Sequence, residues 1–434
     1  MFLVLSDRME KLYHYLWKTR ILGRDFHDVD GHAIEVIDPG NHNNDAGPDF
    51  FNTKLKIDGV EWAGNIEIHV KASDWYRHGH DSDPAYDNVI LHVVGVSDKR
   101  VTRKDGSLIP QAELTFPENF FRLAANLSEN IDTIRCQGLI SAIPRLNRED
   151  WLETLAVERL QEKTRRVLNI FDATGSDWEQ TCFILLSRSL GFGLNSEPFE
   201  LLAKSTPLKI IHHHSDNLFQ IEAILFGQAA MLDSTCHILD EYYQALCREY
   251  YFLARKYGLR PMRPGLWKYS RTRPHNFPHR RIAWLASTLL NGFSLFSKII
   301  GATKDPDYLK KLFNGSFSSY WHSHFSFDSS ANNPSLQLSE GSKQLLIINL
   351  VIPLLYAYSV KTADLEMAEK AYTLLMDLPP ENNSVTRQWS SLGFTIDNAA
   401  RGQALLHLRK EYCDKHKCLY CRFGNLLLRN ASLS

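Results

Sequence analysis

Alternating polar and apolar residues near the N-terminus predict a β-hairpin. The segment 52–59 alternates in this way and ends on an Asp-Gly pair. Alternation that leads into Asp-Gly is a strong short-range signal for a hairpin turn. The second strand is predicted at 65–71, where Glu67, His69 and Lys71 lie two residues apart. Because side chains alternate between the two faces of a strand, these three are expected to share one face of the sheet.

The surrounding pattern predicts a small mixed sheet in an α/β or α+β domain over residues 1–125. Apolar residues at helical spacing between 8 and 21 predict a first helix. Strands are expected at 33–37 and 109–116. A nearly continuous apolar run at 89–94 is typical of a strand covered on both faces. This order of helices and strands belongs to a layered domain with one sheet.

Helical spacing replaces alternation after about residue 146, and a mostly α-helical domain is predicted at 126–434. Ser176 and Glu179 fit a capping box at the start of one helix. Further helices are predicted at 151–171, 219–234, 237–258, 281–300, 341–359, 362–376 and 396–411.

Composition excludes several classes of protein. The 434 residues carry 49 Lys and Arg against 50 Asp and Glu, so no field of the whole protein attracts nucleic acid or membrane. The longest apolar run, 345–358, is too short to span a bilayer and is expected to form a buried core helix. Seven cysteines, an odd number, do not suit a secreted disulfide framework. No signal peptide is recognised, so we expect a cytoplasmic protein without a membrane partner.

Two carboxylates on adjacent predicted strands form the first candidate site. Asp49 follows Gly47-Pro48 where the hairpin begins, and Glu67 lies on the next strand. Carboxylates on neighbouring strands lie close enough to share a Mg²⁺ or Mn²⁺ ion. Such an ion offsets the charge that develops when a phosphodiester is hydrolysed, and a base orients the attacking water. The predicted ligands are Asp49 and Glu67, and His69 or Lys71 manages the water.

This motif resembles that of the PD-(D/E)XK nuclease-like superfamily. In that pattern an Asp follows a Pro, a hairpin comes next, and Asp/Glu-x-Lys lies on the following strand. Pro48-Asp49 matches the first half, and Glu67-x-His69 falls where the second half belongs. The resemblance implies a metal-dependent nuclease on a helix-strand-strand-strand-helix-strand core, with DNA favoured over RNA. His69 takes the lysine position and Lys71 follows one same-face step later, so a decayed scaffold that binds nucleic acid without cutting it is an alternative.

A second resemblance covers nearly the whole chain. The stretches 45–50, 62–69 and 74–94 resemble a bacterial family known as domain-of-unknown-function family 2851. It implies no particular activity.

Histidines form an alternative metal site near the same strand. His69, His78, His80 and His92 are concentrated in a short part of the chain. Imidazoles favour zinc, iron or manganese, and three of them with an open position suit an enzyme that acts on a small molecule. Solvation in a turn, and a hydrogen-bonded core position for His92, are the structural alternatives.

The segment 260–281 is the most biased in charge. It holds seven Lys or Arg, four prolines, three aromatics and no acid. Arginine pairs bidentately with phosphate, and aromatic rings stack on exposed bases. This basic loop therefore predicts contact with nucleic acid, unless its cations pair with acids elsewhere and its prolines form a linker. The candidate contacts are Arg263, Lys268, Arg271, Arg273, Arg280 and Arg281.

Three late cysteines predict a second metal site. Cys413, Cys418 and Cys421 lie within nine residues. Thiolates favour zinc or iron–sulfur clusters. The fourth ligand is either His416, as in a local zinc knuckle, or the distant Cys136. One distant and three late cysteines resemble the layout of iron–sulfur nucleases similar to the superfamily named above.

Overall fold

The computed structural model confirms a mixed sheet followed by a largely helical region. It describes residues 2–21, 26–43, 45–116, 118–129, 134–233, 240–270, 272, 274–301, 306–327, 329–330 and 337–433. The chain forms two compact units, Met1–Trp151 with Leu408–Ser434, and Leu152–His407. The sequence places a boundary at residue 125, whereas the first unit extends to Trp151 and also takes in a late segment.

Six strands of the first unit form one sheet in the order β1-β3-β4-β5-β6, with β2 paired to β3. β3 is antiparallel to β1 and β4, whereas β5 is parallel to β4 and β6. The strands are β1 Ile34–Asp38, β2 Asn41–His42, β3 Phe50–Ile57, β4 Val60–Lys71, β5 Val89–Val96, β6 Gln111–Glu113, and in the second unit β7 His324–Ser326 and β8 Ser329–Ser330.

The helices are α1 Phe2–Lys18, α2 Asp74–Arg77, α3 Glu118–Glu129, α4 Arg145–Ala173, α5 Trp178–Leu190, α6 Ser196–Lys204, α7 Leu208–His212, α8 Leu218–Gln228, α9 Glu241–Tyr257, α10 Pro278–Leu289, α11 Leu295–Gly301, α12 Pro306–Lys311, α13 Glu340–Leu346, α14 Ile352–Thr362, α15 Leu365–Asp377, α16 Ser384–Ser391, α17 Ala399–His407 and α18 Arg422–Leu433. Ile347–Val351 and Leu408–Cys413 are π-helical. Short 3₁₀ helices lie at Pro84–Tyr86, Gln137–Ala142, Pro274–Asn276, Ser319–His322 and Cys418–Tyr420.

The predicted hairpin is formed by β3 and β4. Its two turn residues, Asp58 and Gly59, have φ of +48° and +82°, the conformation that a tight hairpin turn requires. At the other end, the register shifts between Phe50 and Thr53, where Asn52 has φ of +57°. Bulges of this kind re-aim neighbouring side chains and occur often beside functional sites. This bulge lies next to Asp49.

One helical stretch, 340–362, is long and apolar enough among the described residues to cross a membrane, by length and composition alone. It joins α13, the π-helical segment and α14, so it is longer than the apolar run at 345–358. Of its most apolar 18-residue window, 61% is buried inside the structure. A core helix of a folded domain gives the same result, as the sequence predicts here.

Candidate metal centre

The hairpin brings Asp49 and Glu67 into a reciprocal contact. The backbone N–H of Asp49 donates to Glu67 Oε2 at 3.1 Å. The backbone N–H of Ile68 donates in turn to Asp49 Oδ2 at 2.9 Å. Each carboxylate is therefore held by a backbone amide beside the other. The two acids that the sequence singles out do lie together at one end of β3 and β4.

Three imidazoles converge on the same point. The ligand nitrogens of His69, His78 and His80 all lie within 4.8 Å of one another. His69 Nε2 is 3.1 Å from His78 Nδ1, and His80 Nε2 is 3.2 Å from Glu67 Oε1. Glu67 Oε1 is also 3.5 Å from His69 Nε2. The three imidazoles thus lie together, and Glu67 contacts two of them, His69 and His80. We call these four side chains, from one strand and one loop, the His–Glu centre (Glu67, His69, His78, His80).

The loop after α2 presents two of these rings. His78 caps α2, and its N–H donates to the carbonyl of Asp74 at 2.9 Å. Gly79 follows with φ of +76°, a left-handed conformation that favours glycine. His80 then stacks on Tyr86 with the ring centroids 3.8 Å apart. A short helix, one left-handed glycine and one stacked ring therefore fix the direction of both imidazoles.

Two imidazoles of the centre, those of His69 and His80, have lowered pKa values that favour their neutral forms. His69 is 1% exposed, and burial together with the neighbouring imidazoles holds the pKa of its ring far below the usual range. Burial, and then His78, lowers the pKa of His80 to about 4. Neutral imidazoles keep the lone pairs that a metal ion requires.

The pKa of Glu67 is shifted upward, whereas those of His69 and His80 are shifted downward. Burial, followed by the negative charge of Asp49, raises the pKa of the Glu67 carboxyl to about 9. Without a cation, this buried carboxyl therefore retains a proton near neutral pH. A divalent ion at this point would replace the proton and offset both charges. The donor set of one acid and three imidazoles fits a metal ion.

His92 supports His69 from behind. His69 Nδ1 lies 2.9 Å from His92 Nε2, and burial lowers the pKa of His92 to about 3. A metal ion on Nε2 of His69 would leave Nδ1 to carry the proton and to donate it to His92. The next strand places Gln111 in register with His92, and the amide interacts with the imidazole. Contacts of this kind fix the tautomer and the orientation of metal-binding histidines. His92, one of the predicted ligands, is thus in a supporting position.

Two histidines at this site are not identified from the sequence. His14 on α1 places Nε2 3.2 Å from Asp49 Oδ2. His42 on β2 places Nε2 3.4 Å from His14 Nδ1. Neither residue lies near the others in the sequence, and a single histidine on a helix carries no spacing signal. The packing of α1 against the sheet brings His14 to Asp49, and the pairing of β2 with β3 places His42 beside His14.

Lys71 does not reach the carboxylates. It is the last residue of β4, it is exposed, and its charge acts on Asp98. The alternation along the strand is correct, but Lys71 lies beyond the buried part of β4. Of the two predicted water-activating groups, the structure brings only His69 to the site.

A second group of potential metal ligands, near the sheet, is already engaged in ion pairs and hydrogen bonds with neighbouring side chains. Asp28, Asp30 and His32 have ligand atoms within 4.8 Å of one another. Arg100 binds Asp30 bidentately with two contacts of 2.7 Å, and His32 Nδ1 lies 2.8 Å from Asp28. We therefore read this group as an ion-pair network.

The basic loop is partly buried. Arg263 and Lys268 are exposed, as expected for contacts with nucleic acid. Arg280 and Arg281, in contrast, are only 2% and 5% exposed. The predicted contacts Arg271 and Arg273 lie outside the described residues.

The two buried arginines have partners in the interior of the second unit. Arg280 donates to the carbonyl of Trp321 at 2.5 Å, and its guanidinium lies 4.3 Å from the ring centre of Phe317. Arg281 bonds to Asn276 and lies over the ring of Phe192 at 4.6 Å. The prediction that these two side chains project toward solvent is corrected, because carbonyl acceptors and aromatic faces stabilise buried guanidinium groups.

The four predicted cysteines interact in the first unit, and all four are free thiols. Burial, and then Cys421, Cys136 and Cys418, raises the pKa of Cys413. Burial, and then Cys421 and Cys418, raises the pKa of Cys136 to about 12. Like charges raise a thiol's pKa only when they are close, so Cys136 lies near the three late cysteines.

His416 has a different partner. It is exposed, has φ of +58°, and its ring bonds to Arg135. Cys421 accepts hydrogen bonds from the backbone N–H groups of Phe423 and Gly424. Of the two alternative fourth ligands, the structure therefore places Cys136 with the other thiols, and we call Cys136, Cys413, Cys418 and Cys421 the four-thiol group.

Comparison with known proteins shows the family. Residues 10–384 match the family model described as "Protein of unknown function (DUF2851)". The chain belongs to this family. No curated protein and no solved structure matches it. The match to DUF2851 covers the His–Glu centre but ends before Cys413.

Proposed function

We propose that this protein is a metal-dependent hydrolase that cleaves phosphodiester bonds in nucleic acid. The observation that carries the proposal is the convergence of Glu67 Oε1 with Nε2 of His80 at 3.2 Å and of His69 at 3.5 Å. A buried carboxylate beside neutral imidazoles is costly unless it takes up a proton or a cation is bound. A metal ion accounts for the whole arrangement.

The donor set favours a transition metal over Mg²⁺. Magnesium prefers oxygen ligands and retains several waters, whereas imidazoles suit Mn²⁺, Fe²⁺ and Zn²⁺. The sequence predicts Mg²⁺ or Mn²⁺ on Asp49 and Glu67 alone. With His69, His78 and His80 added, we propose Mn²⁺ or another transition-metal ion.

The chemistry divides among the residues as follows. The ion would lower the pKa of a bound water and stabilise the charge of a phosphoryl oxygen. Asp49, held by the amide of Ile68 and paired with His14, is placed beside the centre to accept a proton or to orient the water. His92 keeps the ring of His69 in the required tautomer.

The choice of a phosphodiester rests on strand order and motif. α1 precedes the antiparallel strands β1, β3 and β4, and β5 lies parallel to β4. The PD-(D/E)XK nuclease-like core, to which the sequence motif is similar, has this order of elements, and its two acidic positions would be Asp49 and Glu67. The segment between β4 and β5 is helical only over α2 and one 3₁₀ turn. Exposed Arg263 and Lys268 are cations available to a phosphate backbone, and DNA is the favoured substrate.

A second candidate function follows from the three imidazoles. A three-histidine site with an open position also suits a metal enzyme that acts on a small molecule. That enzyme would bind the metal through the same residues and leave DNA and RNA uncut.

The experiment combines metal analysis with cleavage assays. Protein purified without chelator is analysed for bound metal and incubated with mixed single- and double-stranded DNA and RNA, with Mn²⁺, Zn²⁺, Fe²⁺ or Mg²⁺ added. We expect cleavage with Mn²⁺, and loss of both metal and cleavage in Glu67→Gln. Glu61→Gln is the matched control, because Glu61 lies on the same strand with 73% of its side chain exposed.

Each other outcome selects a different function. Metal binding without cleavage under any condition favours the small-molecule enzyme. Nucleic-acid binding without metal and without cleavage favours a decayed nuclease scaffold. Cleavage that persists in Glu67→Gln at the parent rate contradicts the proposed site.

We also propose that the four-thiol group binds a metal cofactor in a reducing compartment such as the cytoplasm. Thiolates around one zinc ion lie about 3.8 Å apart, from a Zn–S bond of about 2.3 Å in tetrahedral geometry. Among the described residues, none of the groups with ligand atoms within 4.8 Å of one another contains a cysteine. The wider spacing favours an iron–sulfur cluster, whose thiolates bind different irons. Iron and sulfide content with visible absorption of anaerobically purified protein tests this, and stoichiometric zinc contradicts it.

A further inference from the structure

A cavity in the second unit is lined by four cationic side chains. Its volume is about 330 Å³, and Arg159, Lys163, Arg166 and Arg188 all contribute to its wall. The first three lie on one face of α4 at spacings of four and three residues, and Arg188 faces them from α5. The described residues that line this cavity include no carboxylate. We call it the cationic cavity.

Two carboxylates behind the wall serve these cations. Glu162 contacts Arg159 at 3.0 Å, and Glu200 contacts Arg188 at 2.5 Å. Arg166 interacts with the same two carboxylates only at longer range. With Glu381, whose charge acts on Lys163, three acids therefore lie near four side chains that are ordinarily cationic. An excess of positive charge around a cleft attracts an anion.

Lys163 is held in place by neutral groups. Its Nζ donates to Asn349 Oδ1 at 2.8 Å and to Gln403 Oε1 at 2.6 Å. Burial, and then the charge of Arg159, lowers the pKa of Lys163 to about 7, although Glu381 opposes the shift. An anion in the cavity would favour the charged form of Lys163 and raise this pKa again. Binding should therefore take up a proton near neutral pH.

The backbone around the cavity is unusual at two points. Asn349 belongs to the π-helical segment Ile347–Val351, and such segments occur often at functional sites. Phe192, which also lines the cavity, has φ of +42°, which is a strained conformation for a bulky residue. Arg281 lies over the ring of Phe192 at 4.6 Å. Two local departures from regular backbone thus place an amide and an aromatic ring on the cavity.

We propose that the cationic cavity binds a small organic phosphate. Arginine forks match phosphate oxygens bidentately, so Arg159, Arg166 and Arg188 would hold the phosphate group. Phe192, Val167 and Leu185 provide an apolar wall for the organic part. A volume of 330 Å³ lies at the small end of ligand pockets, which run from about 300 to 1,000 Å³, and this favours a small molecule over a nucleic-acid strand. The proposal is independent of hydrolysis at the His–Glu centre.

Calorimetric titration of the full-length protein tests the proposal. The probes are phenyl phosphate, inorganic phosphate and phenol. We expect phenyl phosphate to bind more tightly than inorganic phosphate and phenol not to bind. Arg166→Gln should weaken phenyl phosphate binding at least tenfold. Arg165→Gln is the matched control, because Arg165 is the exposed neighbour on α4 outside the cavity wall and its loss changes the net charge equally.

Further measurements distinguish specific binding in the cationic cavity from non-specific attraction of an anion to any positive side chain. Titrations in buffers of different ionisation enthalpy should show proton uptake, and thermal melts should show both variants folded. Equal weakening by Arg165→Gln and Arg166→Gln, or no binding of either phosphate to the parent, would overturn the proposal. Equal affinity for phenyl phosphate and inorganic phosphate would overturn the proposal that the apolar wall binds the organic part of the ligand. Cleavage of nucleic acid should be the same in both variants, so either proposal can fail alone.

Discussion

Replacing Glu67 by glutamine should make the metal-free protein less sensitive to alkaline pH. The Glu67 carboxyl has its pKa raised from 4.5 to about 9, first by burial and then by Asp49. The folded state therefore holds this proton more tightly than the unfolded state between these two values. Stability falls as pH rises wherever the folded state binds more protons, so this carboxyl lowers the free energy of unfolding as pH rises from 4.5 toward 9.

The magnitude follows from the same shift. One pKa unit corresponds to about 1.4 kcal/mol, so raising the pH from 7 to 9 should cost the chelated parent at most about 3 kcal/mol. For a unit of 150–250 residues, 1 kcal/mol moves the melting temperature by roughly 2–4 °C. His69 and His80 have lowered pKa values, so their contributions are lost below pH 6.5 and do not affect this window. Glutamine cannot ionise, and Glu67→Gln should show a flatter profile.

The assay is thermal unfolding at pH 7, 8 and 9, with EDTA and then with Mn²⁺. Metal should raise the melting temperature of the parent, and the gain should grow with pH because the ion competes with a proton. Glu67→Gln should gain little, and Glu61→Gln should behave as the parent does. Identical pH profiles for the parent and Glu67→Gln in EDTA would refute the assignment of the raised pKa. An equal rise in melting temperature on adding Mn²⁺ to the parent and to Glu67→Gln would refute the assignment of Glu67 as a metal ligand.

Three further predictions concern residues that support the two candidate metal sites of the first unit. His92→Phe should lower metal affinity about 10- to 100-fold without removing a ligand, because His69 loses the contact that orients its ring, and metal titration will measure it. Gly79→Ala should cost about 1 kcal/mol and weaken metal binding, since its φ of +76° is strained for alanine, as melting curves and the same titration will show. Cys136→Ser should lose the cofactor of the four-thiol group, whereas the buried Cys182→Ser should keep it, as metal analysis of both will establish.

Local patterns predict the hairpin and its acids. Alternation fixes which side chains share a face, and Asp58-Gly59 supplies the two positive φ values of the turn. That is sufficient to bring Asp49 and Glu67 together. The same alternation places Lys71 on the face of Glu67 and His69. Alternation does not show, however, where the buried part of a strand ends.

Other features depend on tertiary packing or on competition between neighbours. Asp177, not Ser176, caps α5, because its side chain accepts from the backbone of Gln180 while Ser176 takes φ of +68°. The helix predicted at 281–300 is interrupted, because Asn291 and Gly292 both have positive φ. A run of charged residues likewise predicts exposed side chains. The burial of Arg280 depends on its tertiary contacts with the carbonyl of Trp321 and the ring of Phe317.

The organisation of the first unit has a consequence for how the protein is made. α18 completes this unit, with Asn425 donating to the hydroxyl of Tyr15 at 2.6 Å and Arg429 to the carbonyl of Thr19 at 3.0 Å. A ribosome synthesises these partners of α1 only after the whole of Leu152–His407. During synthesis, α1 therefore lacks its contacts with α18 until the whole second unit has been translated. A stop codon near residue 408 would consequently damage the part of the protein that was translated first.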